Sequence, residues 1–188
     1  KRINVTREYR KTVRAMLEKL VTTGKFEMQP ARVHRIANKC TKKVDSLSQL
    51  QGMLGFIDWI DLRSNANAQN LSQEAQAHSK TRSHRLESLT SQEKQYRKFL
   101  LYRDFFSASQ PLILTEGKTD KTHLQVAARQ LESGYPDLVN VASTPPAFLF
   151  RIFPSMARRT NALLGLCGGT PDLAAFLYAY KSETKKFN

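Results

Sequence analysis

The 188-residue chain has few cysteines, a single tryptophan, a deficit of acidic residues and no long apolar run. Each shortage excludes something. Two cysteines, Cys40 and Cys167, supply neither the disulfide framework of a small secreted domain nor a metal-binding spacing, so they are expected as reduced thiols in a cytosolic protein. His34 likewise has no partner at ligand spacing and is assigned no metal. No run approaches the roughly 18 apolar residues of a membrane span, and no signal peptide is evident, which leaves the membrane out as a partner. Gly117-Lys118-Thr119 imitates the end of a phosphate-binding P-loop, but that motif needs glycine at position 112, which is leucine. An initiator methionine is absent too, and Lys1-Arg2-Ile3-Asn4-Val5 reads like the middle of a longer chain. Sixteen acids against thirty Lys and Arg leave a net charge of +14. A polyanion is the natural partner of such a chain, the plainer alternative being a soluble basic surface.

The chain is organised around Pro111-Leu112-Ile113-Leu114-Thr115-Glu116-Gly117-Lys118-Thr119-Asp120. Leu112 to Leu114 has the length and apolarity of a buried parallel strand. Asp120 suits a helix cap, and Leu124, Ala127, Ala128 and Leu131 behind it share one helical face, with Gly134 and Pro136 as stops. Glu116 is thereby expected at the carboxyl end of a strand, where open α/β sheets place their ligands. Lys118 and the first amides of the helix suit an anion. The alternative is an ordinary turn with a solvated Glu116.

Upstream, Thr6 and Gly24 bracket a first helix whose apolar stripe is Tyr9, Val13, Met16, Leu17, Leu20 and Val21. Arg7, Arg10, Lys11 and Arg14 fall along one flank of that stripe, as a phosphate backbone would require; the alternative is a solvated basic face. Residues 25–43 form a polar, basic connection. Ser46 and Gln49 make a capping box for a second helix running to about Leu62, apolar around much of its girth and therefore expected to be buried centrally. Trp59 is read as core in preference to a base-stacking platform, and Gly52 and Gly55 as allowing a neighbour to pack closely.

Arg63 to Leu89 is a polar linker, partly helical from Gln73 onward and low in order. Thr90 and Glu93 form a second capping box, opening a helix loaded with Tyr96, Phe99, Leu100, Tyr102, Phe105 and Phe106, read as core, the alternative being a tight interface between the two halves. After a loop from Asn140 to Pro146, Phe148 to Phe153 and the run Leu163-Leu164-Gly165-Leu166-Cys167 are expected as strands. Thr170-Pro171-Asp172 starts a last helix, with Leu173, Phe176, Leu177 and Tyr180 on its buried face. The expected class is α+β: a helical, nucleic-acid-binding unit over 1–62, the linker over 63–89, and a β-α-(β)-β-α unit over 90–188 that looks cut short.

Two sets of residues carry a family resemblance. Arg7-Glu8-Tyr9-Arg10-Lys11-Thr12-Val13-Arg14-Ala15, followed by Gly52-Met53-Leu54-Gly55-Phe56-Ile57-Asp58, resembles the thumb of bacterial retron reverse transcriptases. Tyr96-Arg97-Lys98-Phe99-Leu100-Leu101-Tyr102, leading to Thr115-Glu116-Gly117-Lys118-Thr119-Asp120, resembles the extension that some of those enzymes carry. That extension is similar to a Toprim domain, the fold shared by topoisomerases, bacterial primases and overcoming-lysogenization-defect nucleases. Gly168-Gly169-Thr170-Pro171-Asp172-Leu173 fits its second strand-helix unit. The resemblance covers most of the chain, with the linker and residues 140–162 matching poorly.

The resemblance implies a parent RNA-directed DNA polymerase, a Mg²⁺-dependent nucleotidyltransferase of antiviral defence in the bacterial cytoplasm. Its partners would be retron non-coding RNA or multicopy single-stranded DNA, together with the fingers and palm of the polymerase. It also implies Glu116 as the Toprim acid and Asp120 as a second metal ligand. The chain departs from the pattern in lacking the Tyr-x-Asp-Asp of the palm and the Asp-x-Asp of a later Toprim strand, so neither two-metal site is complete. This piece alone is therefore expected to bind no metal and to be inactive, gripping RNA or RNA/DNA duplex through Arg7, Arg10, Lys11, Arg14 and Lys118. The alternatives are a Toprim-family nuclease subunit completed by a partner, and a non-catalytic RNA-binding module.

Overall fold

The computed structural model describes residues 4–26, 46–69, 89–117, 119–140, 142–144, 146–153, 158–166 and 169–188. The linker residues 70–88 and the positions Cys40, Cys167, His34 and Lys118 lie outside them. The described chain is mostly helical with four two-residue strands, an α+β composition.

Helix α1, Arg7–Thr23, begins and ends where local chemistry dictates. The Tyr9 N–H donates to the Thr6 hydroxyl at 3.3 Å. Gly24, at φ +69°, donates its N–H to the Leu20 carbonyl at 2.8 Å. Val13, Leu17, Leu20 and Val21 are buried as the stripe requires. Helix α2, Ser46–Gln69, runs seven residues past Leu62, because no glycine or proline interrupts residues 63–69. It buries Leu50, Leu54, Ile57 and Ile60 but leaves Phe56, Trp59 and Leu62 exposed. The expectation of a centrally buried helix, and of Trp59 as core, is thus corrected. The centre belongs to helix α3, Ser91–Leu101, which touches α1, α2 and a later helix and buries Phe99, Leu100 and Leu101 almost completely. Of the two α2 glycines, Gly55 faces the Tyr96 hydroxyl, whereas Gly52 opens onto empty space.

The capping box of α3 forms as read: the Glu93 N–H donates to Thr90 Oγ1 at 3.2 Å and the Thr90 N–H to Glu93 Oε2 at 2.8 Å. A π-helical turn, Tyr102–Phe106, then delivers the chain to strand β1, Leu112–Ile113. Two further short strands, β2 (Val139–Asn140) and β3 (Ala147–Phe148), pair antiparallel. Strand β4, Arg151–Ile152, pairs parallel with β1, Leu112 opposite Arg151 and Ile113 opposite Ile152. The stretch Phe148 to Phe153 is therefore divided between two strands.

Helix α4, Asp120–Gln130, follows β1 and buries only Ala128; Leu124 and Leu131 of its expected face are exposed. A sheet two strands wide offers that face too little surface to bury it.

The apolar run at Leu163 is not a strand. It closes helix α5, Arg158–Leu164, in a Schellman motif: the Leu166 N–H reaches the Asn161 carbonyl at 2.8 Å and the Gly165 N–H the Ala162 carbonyl at 3.3 Å, with Gly165 at φ +76°. Helix α6, Thr170–Glu183, is capped by Gly169, one residue before the expected Thr170. It buries Asp172 and Phe176 while Leu177 stays exposed. One apolar cluster joins α1, α2 and α3 to Phe153, Leu163, Leu164, Phe176 and Phe187, and so runs across the expected division between the two halves. Phe105 lies at its junction, its ring 4.8 Å from both Phe153 and Phe176.

Candidate nucleic-acid interface

The four cations singled out on α1 have different surroundings. Arg10 forks onto Asp61 of α2, its two terminal nitrogens 2.7 and 2.5 Å from the carboxylate oxygens. That hydrogen bond raises the guanidinium's pKa against the opposing effect of burial. Around the helix axis Arg10 lies only about 20° from Leu17 and from Val21, inside the buried sector, so it turns toward α2. Lys11 makes an exposed pair with Glu8 at 3.3 Å, of a kind worth a few tenths of a kcal/mol. Arg7 and Arg14 are exposed, with no ion pair among the described residues. Glu18, on the same flank, is drawn off to Lys98 of α3 at 2.9 Å. The outward part of the flank is thus Arg7 and Arg14, with Lys11 loosely held.

The end of β1 is a second locus. Asp120 folds back over its own turn, and the Gly117 N–H donates to its carboxylate at 2.7 Å. A Cβ at Gly117 would come within 2.7 Å of Asp120 Oδ1, so a side chain there would displace the carboxylate from this turn. Asp120 therefore closes the turn instead of capping amides of α4, whose cap residue Thr119 makes no side-chain bond. Exposed Glu116 accepts a 2.6 Å hydrogen bond from the Thr170 hydroxyl, so strand end and α6 N-terminus meet. Among the described residues no group of three or more His, Cys, Asp or Glu side chains gathers to hold a metal. Glu116 and Asp120 on their own do not form a two-metal site.

Three clamps position these loci. Arg159 of α5 donates to Asp58 at 2.6 and 3.1 Å and to Glu93 at 2.6 Å, tying α5 to α2 and to the capping box of α3. Burial pushes the Glu93 carboxyl up, but hydrogen bonds from the Thr90 backbone and from Arg159 outweigh it and hold it below the usual range. Buried Arg97 grips Glu183 of α6 and donates to the Leu163 carbonyl at 2.8 Å, satisfying an end of α5. Arg151 beside β1 donates to the Asp104 carbonyl of the π-helical turn.

Trp59, expected in the core in preference to a base-stacking platform, belongs instead to an exposed stripe on α2. The ring of Phe56 stands nearly parallel to that of Trp59, centroids 6.5 Å apart, and meets Tyr9 of α1 edge-on at 6.3 Å. The guanidinium of Arg63 lies 4.6 Å above the Trp59 ring. Spacings of three and four residues were the available signal, since they place these side chains on one face, opposite Leu50, Leu54 and Ile57. The chain matches no protein-family model and no solved structure. Among the described residues no helix is long and apolar enough to cross a membrane.

Proposed function

We propose that this chain grips RNA or RNA/DNA duplex as part of a retron-type reverse transcriptase in the bacterial cytoplasm. Helices α1 and α2 act as its thumb, and the β1–α4–β4 region with α6 as a Toprim-like extension. Family and parent activity rest on the order of sequence motifs. The gripping role rests on one physical observation: Arg7 and Arg14 project from α1 without a carboxylate partner among the described residues, in a chain of net charge +14. Their fork of donors suits phosphate oxygens, and the apolar stripe held against α2 and α3 prevents the helix from rotating them away. Such contacts read duplex shape and not base edges. Glu116 and Asp120 are the acids a Toprim-like metal site would use once further carboxylates joined them, and Lys118 lies between them in sequence.

The test is fluorescence anisotropy with a labelled RNA hairpin across a salt series. Changing Arg7 and Arg14 together to Ala weakens binding to many sequences alike and flattens the slope of log K on log salt by roughly one to two units. Unchanged affinity and slope would reduce the flank to a solvated face.

A further inference from the structure

Apart from the edge-on contact of Phe56 with Tyr9, the outward stripe of α2 stands outside the buried cluster. Phe56 and Trp59 are 49 % and 45 % exposed, unusual for large aromatics in the middle of a helix whose other face is core. Gly52, one turn before Phe56, leaves open space beside them, and Arg63, one turn after Trp59, closes the stripe with a guanidinium stacked on the indole. No acid lies on this face. The two acids of the stretch, Asp58 and Asp61, are taken up by Arg159 and Arg10. A flat, exposed aromatic surface, rimmed by a cation with no ion pair among the described residues and with no acid on its own helix face, complements a ligand with flat faces and an anionic backbone.

We propose that Phe56, Trp59 and Arg63 form a stacking platform for unpaired bases of single-stranded RNA or DNA. A base lies on the exposed part of the Trp59–Phe56 surface while Arg63 holds the adjoining phosphate. This deepens the nucleic-acid reading and rests on it. A duplex does not satisfy the platform, because its base faces are already stacked, so the stripe takes a strand entering or leaving the paired region gripped by α1.

Trp59 is the chain's one tryptophan, so intrinsic emission reports this site alone. A short oligouridylate titrated into the 188-residue chain quenches Trp59, whereas fully paired RNA of the same length leaves the emission unchanged. By anisotropy of the labelled strand, Trp59→Ala weakens single-strand binding roughly 5- to 150-fold, the loss of one stacked base. Trp59→Phe, which keeps a ring, retains most of the affinity, and far-UV circular dichroism of both variants matches the parent. If the oligouridylate binds without quenching and Trp59→Ala binds as tightly as the parent, the platform falls while the nucleic-acid reading stands. If neither single strand nor duplex binds, both fall. An emission shift that grows with protein concentration and accompanies a larger hydrodynamic size, without nucleic acid, means a second copy covers the stripe and overturns the proposal.

Discussion

Arg159 offers the sharpest test of how the molecule is held together. Its guanidinium is shared by Asp58, whose side chain is 11 % exposed, and Glu93, at 19 %, while the arginine itself is 35 % exposed. Replacing it with methionine keeps the aliphatic stem but leaves Asp58 nearly buried and without that guanidinium. Breaking a fully buried pair costs about 3–5 kcal/mol. Solvent reaches a third of this arginine, which scales the expectation down to about 2–3 kcal/mol. With a urea m-value of about 2 kcal/mol/M, the unfolding midpoint falls by roughly 1–1.5 M. The assay is urea denaturation followed by far-UV circular dichroism and by Trp59 emission, which report on the helices and on the neighbour of Asp58. The two probes should coincide, since one cluster joins α2, α3, α5 and α6. Asp58→Asn combined with Arg159→Met should cost at least about 1 kcal/mol less than the two single losses added together, because the second change removes the charge the first stranded. Additivity within about 0.5 kcal/mol, or a loss of less than that for Arg159→Met alone, would refute the clamp.

Arg10→Met should lower stability by about 1 kcal/mol while leaving the salt slope of RNA binding unchanged, because this arginine is turned onto Asp61; measured together, the two readouts separate it from Arg7 and Arg14. Glu93→Gln keeps the capping geometry and removes the charge. A carboxyl held below its ordinary value of about 4.3 contributes stability in full above that pH and loses it as the pH falls through the folded-state value, so the variant's deficit at pH 7 should narrow in acid melts. Gly165→Ala, forced into the left-handed region at φ +76°, should destabilise by about 1 kcal/mol in the same urea assay.

Features decided within one turn of chain were legible from the residues alone. Thr6, Gly24 and the Thr90/Glu93 box needed only their immediate neighbours, and the 3.6-residue period placed Val13, Leu17, Leu20 and Val21 inside. The strand at Leu112 also agreed with its residues, a short apolar run following Pro111 and ending in a turn at Gly117. What failed depended on partners far along the chain. An apolar run as short as Leu163–Leu166 does not distinguish a strand from a helix end, and the arrangement settling it involves Arg97, more than sixty positions away. Composition made α2 look buried all round, but only the placement of α1 and α3 decides that Phe56 and Trp59 stay outside. At α6 the cap moved from Thr170 to Gly169 because the Thr170 hydroxyl donates to Glu116, a partner 54 residues upstream. Of the candidate site, the residue types were readable and their commitments were not.

Those commitments follow one rule across the first two helices. Glu8, Glu18, Asp58 and Asp61 each hold a cation: Lys11, Lys98, Arg159 and Arg10 respectively. Three of these four pairs link different helices, so the acids are spent on assembling the core of the α1–α2–α3 region. Cations that face the core acquire carboxylates because an unpaired charge there is costly to desolvate, whereas cations that face water need none. Among the described residues Arg7, Arg14 and Lys19 of α1 and Arg63 on the aromatic stripe of α2 are left without an ion pair. Direction around the helix axis thus separates two roles that residue type alone does not. Arg10, between Leu17 and Val21 around the axis, serves folding, whereas Arg7 and Arg14, beyond Val21, are left exposed. Arg10 and Arg14 sit one turn apart on the same flank, yet the first holds Asp61 while the second is exposed, with no ion pair among the described residues.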